Sequence, residues 1–260
     1  MEIGSELFTS CPETLRTIES YIGRISPDNT ELAQWFNSHA SRHKERIAFD
    51  LNMLREGLLQ RTRVLEVGSI PLLLTAALTK CKYEVTGIDI SPERFAYSIR
   101  QLGLTVLKCD VEREELPIEE NEYDAVVFNE LLEHPRVNPI FALCEVFRVM
   151  KPHGILFLFL SSPNLWSLMG IGNFLFRKRA FSCAGDLYAE YEKLGKLGHM
   201  GYVREYTSVE VTDFLGKIGF VVEKLIYRGT YSSKKAQAAI RLFPTLRPFI
   251  SYIARKPARA

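Results

Sequence analysis

RVLEVGSIP, residues 63–71, decides the fold. Val64 to Val67 form a short apolar run closed by Gly68, which reads as a buried strand running into a turn. Where a nucleotide-binding loop would carry further glycines, the chain places Ser69, Ile70 and Pro71. Working outward, the same rhythm repeats. A helical pattern over 71–80 leads to YEVTGID (83–89), a second over 92–102 to LTVLKC (104–109), and YDAVVFN (123–129) is followed by a helix over 137–150 and GILFLFLS (154–161). After a gap come a helix over 208–218, FVVEKLIY (220–227), a helical basic stretch near 233–243 and FISYIARK (249–256). Strands alternating with helices predict an α/β fold, a doubly wound, mostly parallel, seven-stranded sheet with helices on both faces.

Two regions stand outside that rhythm. Apolar residues recur three and four apart from Thr14 to Gln60, so residues 1–60 are read as an N-terminal helical extension. Between 163 and 206 the alternation stops for roughly 45 residues, long for a connection, and the segment is read as an inserted lid over a substrate. The whole chain, 1–260, is then a single domain with these two additions.

Composition narrows the function classes. A formal net charge of +2 and 47% hydrophobic residues describe a globular protein with no basic stripe, so no nucleic-acid partner is expected. Five widely spaced cysteines without a C-x-x-C pair imply neither a metal site nor a disulfide framework. No apolar run approaches the roughly 18 residues of a membrane span, and the N-terminus lacks a leader pattern, so a cytoplasmic, soluble protein is expected. The last 37 residues hold nine Lys or Arg and no acid, which reads as a solvated basic face.

In an open α/β sheet ligands bind beyond the carboxyl ends of the strands. Those ends carry Glu66 with Gly68, Asp89, Asp110, and Asn129 with Glu130. Asp89 lies 23 residues after Glu66, the spacing at which an acid on the second strand reaches ribose hydroxyls. Its competing role is a helix cap, but Ser91-Pro92-Glu93 already supplies a cap and an N1 proline, which leaves Asp89 without a structural task. Asp110 serves equally well as a ligand or as the start of a turn. With Gly68, Ile70 and Leu73 where a G-x-G-x-x-G motif would stand, a pyrophosphate is not accommodated, which argues against a dinucleotide. S-adenosylmethionine carries no phosphate, and its ammonium suits Glu66.

VLEVGSIP, GIDISPERF, KCDVEREELP, EYDAVVFNELLEHP and LCEVFRVMKPHGILFLFLSSPN, together with REYTSVEVTDFLGKIGFVVEKL, resemble in order and spacing the successive motifs of class I S-adenosylmethionine-dependent methyltransferases. The likeness is to the broad small-molecule group called type 11. That resemblance implies a Rossmann-like methyltransferase fold and, as cofactor, S-adenosylmethionine, with S-adenosylhomocysteine as product. It implies that Glu66 and Gly68 contact the methionine part with Ser69 and Ile70 supplying backbone. By the same resemblance Asp89 holds the ribose, Ile90 packs on the adenine, Asp110 and Val111 read its amino edge, and Asn129 lines the wall nearest the sulfonium.

Methyl transfer is an in-line displacement that asks the protein mainly for alignment and exclusion of water; a hydroxyl acceptor is helped by a base. His134, after the fourth strand, and His199, in the insertion, are the candidates for base or substrate contact, each with an exposed loop histidine as its plain alternative. Trp166, Phe174, Tyr188, Tyr191, Tyr202, Arg204 and Tyr206 suit either a lid over an organic acceptor or the insertion's own small core. HMGYVREYT (199–207) resembles methyltransferases of polysaccharide, glycolipid and natural-product assembly, which implies O-methylation of a sugar or related metabolite, with a lipid-linked acceptor next. The reading from another class is a non-catalytic binding or scaffold protein that kept the fold; the four polar strand ends speak against it.

Overall fold

The computed structural model describes residues 1–6, 11–132, 138–160, 164–177 and 205–258. Its centre is a sheet of eight strands: β1 (Glu2–Glu6), β2 (Arg63–Val67), β3 (Glu84–Asp89), β4 (Thr105–Lys108), β5 (Tyr123–Asn129), β6 (Met150–Leu160), β7 (Val221–Arg228) and β8 (Phe249–Arg255). Their order is β1-β7-β8-β6-β5-β2-β3-β4. Only β8 runs antiparallel, wedged between β6 and β7.

The expected seven strands are present, and β1 adds an eighth at the edge, parallel to β7. The stretch EIGSE has one large apolar residue and no alternation, so nothing in it signals a strand; it is ordered by pairing with Lys224–Arg228. Residues 1–60 thus hold a strand as well as α1 (Pro12–Ile22) and α2 (Thr30–Gly57). The helix expected from 71 begins later, as α3 (Leu73–Lys80), because Leu72 sits in the left-handed region (φ 72°) and closes a turn onto the Ser69 carbonyl at 2.7 Å. The helix expected over 92–102 is a 3-10 turn at Pro92–Phe95 followed by α4 (Ala96–Leu102).

Successive strand residues point to opposite faces, and both faces are covered, which is why the strands read as unbroken apolar runs. Leu65, Val67, Val126 and Phe128 pack under α5 (Pro139–Val149) and α7 (Ser208–Ile218). Val64, Ala125, Val127, Phe157 and Phe159 pack under α1, α2 and α3. Within the expected insertion, the described residues form α6 (Leu168–Arg177), while α8 (Lys234–Leu242) joins β7 to β8.

The order in which the chain adds strands reverses between β2 and β5, which pair in parallel from Val64↔Ala125 to Val67↔Phe128: β3 and β4 lie on one side and β6 on the other. That places Gly68 beside Asn129 at a topological switch point, the position at which open α/β sheets bind ligands.

Candidate functional site

Glu66 is the third of four buried residues on β2 and faces α3, where Thr75 donates its hydroxyl to Oε2 at 2.5 Å. The side chain is 2% exposed. Burial raises its carboxyl to about 8, the Thr75 hydrogen bond opposes the rise, and the nearby Asp89 charge adds to it. A carboxyl of this kind is uncharged at neutral pH until a cation is brought to it.

Gly68 turns the chain with φ 82°, and a Cβ there would stand 3.4 Å from the Asn129 carbonyl oxygen. The Gly68 and Ser69 amides both donate to the Ile88 carbonyl, at 2.9 and 3.0 Å, folding the loop over the end of β3. Ser69 is buried, and its hydroxyl fills the place a side chain at residue 87 would take: a Cβ on Gly87 would meet Ser69 Oγ at 2.7 Å. Gly87→Ala should therefore push the loop outward and cost ~1–3 kcal/mol, as overpacking does. Urea unfolding checks this, and a variant as stable as wild type would show that the loop has room to shift.

Asp89 is busier than the sequence suggests. Its Oδ2 accepts from the Ile70 amide at 3.2 Å, and its Oδ1 accepts from the Ser91 amide at 2.9 Å and from Arg94 at 3.4 Å. Ser91 makes no side-chain cap, and Asp89 ties the loop after β2 to the turn after β3. The carboxylate nonetheless retains acceptor capacity, since it offers about four lone-pair sites against three donors. Burial pushes its pKa up against the pull of those donors. Asp89→Ala should consequently lower stability by ~1–2 kcal/mol, readable as a fall in melting temperature; an unchanged melting curve would show these bonds to be negligible.

Ile90 is exposed just beyond Asp89 and offers an apolar surface at the strand end. Asp110 starts a turn: its Oδ1 accepts from the Glu112 amide at 3.2 Å, and its carbonyl from the Arg113 and Glu114 amides. Val111 packs against the core. The Cys109 amide donates to the Asp89 carbonyl at 3.0 Å, so β4 delivers Asp110 next to Asp89. Asn129 ends β5 with a buried Oδ1 that has no hydrogen-bond partner among the described residues. His134 and His199 lie outside the described residues, as do Tyr188, Tyr191, Tyr202 and Arg204. Tyr206, grouped with them by sequence, is a core residue packed edge-on against Phe214 with ring centres 5.9 Å apart.

Sequence reasoning missed a charged cluster over the same edge. On α2, Arg46 pairs with Glu130, the residue after β5, and Asp50 pairs with Arg228, the last residue of β7. Asp50 and Arg228 are both fully buried. One turn before Arg46, His43 stacks on His39 with ring centres 4.5 Å apart, and burial, Arg46 and Arg42 lower its pKa to about 4. It stays neutral at neutral pH and is too weak a base to be tuned for general-base work. The available signal was a pair of charges four residues apart inside the apolar run RIAFDLNML.

The site therefore gathers, at one switch point, a buried acid, a glycine turn, a second acid at ribose spacing and an amide oxygen awaiting a donor. Residues 65–158, less than half of the chain, match a family model described as a methyltransferase domain, and S-adenosylmethionine is the cofactor that this likeness implies. No curated protein sequence matches the chain. Solved structures share the fold at low identity. A S-adenosylmethionine-dependent methyltransferase from Methanosarcina mazei is 18% identical with a TM-score of 0.55, covering 79% of this chain and 97% of that one. One from Mesorhizobium loti is 17% identical with a TM-score of 0.52, covering 78% and 96%. The (4+2)-cyclase SpnF is 17% identical with a TM-score of 0.53, covering 94% and 93%.

The residues present fit the implied cofactor. Asn129 Oδ1 meets no donor among the described residues, Asp89 keeps acceptor capacity, and the loop from Gly68 to Ile70 carries no charged side chain. Among the described residues no group of three or more His, Cys, Asp or Glu is placed to hold a metal ion.

Proposed function

We propose that this chain methylates a small organic acceptor, at an oxygen of a sugar or related metabolite. The observation that carries the transferase reading is the adjacency of Glu66, the Gly68–Ile70 turn, Asp89 and Asn129 across β2, β3 and β5. Bound S-adenosylmethionine supplies an electrophilic methyl group on a sulfonium.

Glu66 meets the amino group and is drawn into its charged form by it. Gly68, Ser69 and Ile70 present backbone around the methionine part, and Asp89 accepts from ribose hydroxyls. Ile90 covers the adenine, Asp110 and Val111 read its amino edge, and Asn129 lines the reacting side. Transfer then needs an acceptor oxygen held in line and dry, with His134 and His199 as the groups placed by sequence to contact it or take its proton. Residues 163–206 serve as the lid. The likeness of HMGYVREYT to sugar and natural-product methyltransferases supports a hydroxylated acceptor.

The test is transfer of an isotopically labelled methyl group to a panel of mono- and disaccharides, nucleotide sugars and phenols, followed by mass spectrometry. Label on a sugar oxygen is expected. Cofactor binding with no transfer to any hydroxylated acceptor would overturn this reading in favour of a binding or scaffold protein.

A further inference from the structure

The edge that carries the site also carries a surface that the methyl-transfer reading does not use. β6 leaves the sheet at Leu160, β7 leaves it at Arg228, and β8 enters at Phe249, all at the end where Gly68 and Asn129 lie. The segments that flank the two helices attached there, α6 and α8, are tied together. The Asn164 side chain donates to the Thr245 carbonyl at 2.7 Å, its amide donates to Pro248 at 3.0 Å, and Tyr231 donates to Leu246 at 2.9 Å.

Large apolar side chains of these segments point to solvent. Leu242 is 76% exposed, Phe243 61% and Trp166 59%, and on α6 Phe176 reaches 85%. A solvated basic face does not explain them, because isolated charges need no aromatic or leucine neighbours in water. Lys234, Lys235 and Arg241 are exposed on α8, with Leu242 on the same side of the helix. No Asp or Glu occurs in residues 164–177 or 224–258. The other described basic residues of the C-terminal stretch turn elsewhere: Arg228 to Asp50, Arg247 to the Gly229 carbonyl, Arg255 to Glu223, Lys224 to Glu2, and Lys256 to the Phe147 and Met150 carbonyls.

We infer that this face docks on an anionic lipid surface. The occupant is fixed by charge and by apolar exposure: the cationic residues Lys234, Lys235 and Arg241 beside exposed Leu242 and Phe243, in a stretch of chain without acids, are what a headgroup layer binds electrostatically and by shallow burial. A chain docked this way presents the site edge toward the headgroups. No helix among the described residues is long and apolar enough to cross a membrane, so contact is with the surface alone.

The experiment is co-sedimentation of the full chain with vesicles of phosphatidylcholine alone or mixed with phosphatidylglycerol, at low and high salt. Binding is expected to the anionic vesicles, to be at least about tenfold weaker on neutral ones, and to fall with salt. Lys234→Glu with Lys235→Glu and Arg241→Glu should abolish it, as should Leu242→Ser with Phe243→Ser, at unchanged melting temperature. Absence of binding to anionic vesicles, or binding indifferent to both sets of substitutions, would overturn the inference. So would self-association of the chain in solution that the Leu242 and Phe243 substitutions dissolve, since the face would then cover a second copy.

Discussion

Glu66→Gln is expected to stabilise the cofactor-free protein above neutral pH and, in the same variant, to weaken S-adenosylmethionine binding strongly. Burial holds the Glu66 carboxyl at about 8, against 4.5 as its ordinary value. A carboxyl whose folded pKa is raised binds its proton more tightly when folded, so stability falls as pH rises between about 4.5 and 8 and levels off above. At pH 8 the accumulated cost is on the order of a few kcal/mol. Glutamine keeps the shape, can still be met by the Thr75 hydroxyl and removes the titration. The variant's stability should therefore lose this fall with pH, and its unfolding free energy should exceed wild type at pH 8 and approach it near pH 5.

The same chemistry predicts a signature on the ligand side. An ammonium brought to an uncharged Glu66 discharges its proton, so binding at pH 7 should release up to about one proton per cofactor. Titration calorimetry in two buffers of different ionisation enthalpy measures this directly. Wild type should show the release and Glu66→Gln should not. A variant that melts lower than wild type at pH 8, or binding without proton release, would show that Glu66 serves another purpose.

Asp50→Ala is expected to be the most damaging single substitution outside the cofactor loop. Asp50 and Arg228 are completely buried, α2 against the end of β7, with the guanidinium also 5.2 Å from the centre of the Phe159 ring. Removing the carboxylate takes from a fully buried guanidinium its carboxylate partner, a change that costs ~3–5 kcal/mol, a large share of the 5–15 kcal/mol of a typical domain. For a chain of this length that is a drop of roughly 10 °C in melting temperature. The double variant Asp50→Leu with Arg228→Met should recover most of the loss, because it deletes both charges. A single Asp50→Ala protein as stable as wild type would mean that Arg228 does not depend on this partner.

The sheet was legible because its strands are covered on both faces and so appear as unbroken apolar runs closed by Gly68, Asp89 and Asn129. β1 was not, since EIGSE gains strand structure only from its neighbour β7. The candidate residues were legible as strand ends, but their bonds were not. Asp89 was read as idle although it holds Ile70, Ser91 and Arg94, because contact between the ends of two parallel strands leaves no local pattern. The Asp50–Arg228 pair joins residues 178 apart and leaves still less of a trace. The basic C-terminal stretch shows the opposite case. Its charges were visible at once, but the exposed Leu242 and Phe243 that give them meaning appear only when α8 is seen with its apolar end in water.

In the proposed function β2, β3 and β5 hold S-adenosylmethionine at the switch point through Glu66, Asp89 and Asn129. The decisive measurement is calorimetric titration of the full chain with S-adenosylhomocysteine, in wild type and Asp89→Ala. One-to-one binding at micromolar concentrations is expected in wild type and none in Asp89→Ala, which should still unfold cooperatively at a lower temperature. Absence of binding by wild type at hundreds of micromolar, or undiminished binding by Asp89→Ala, would contradict it.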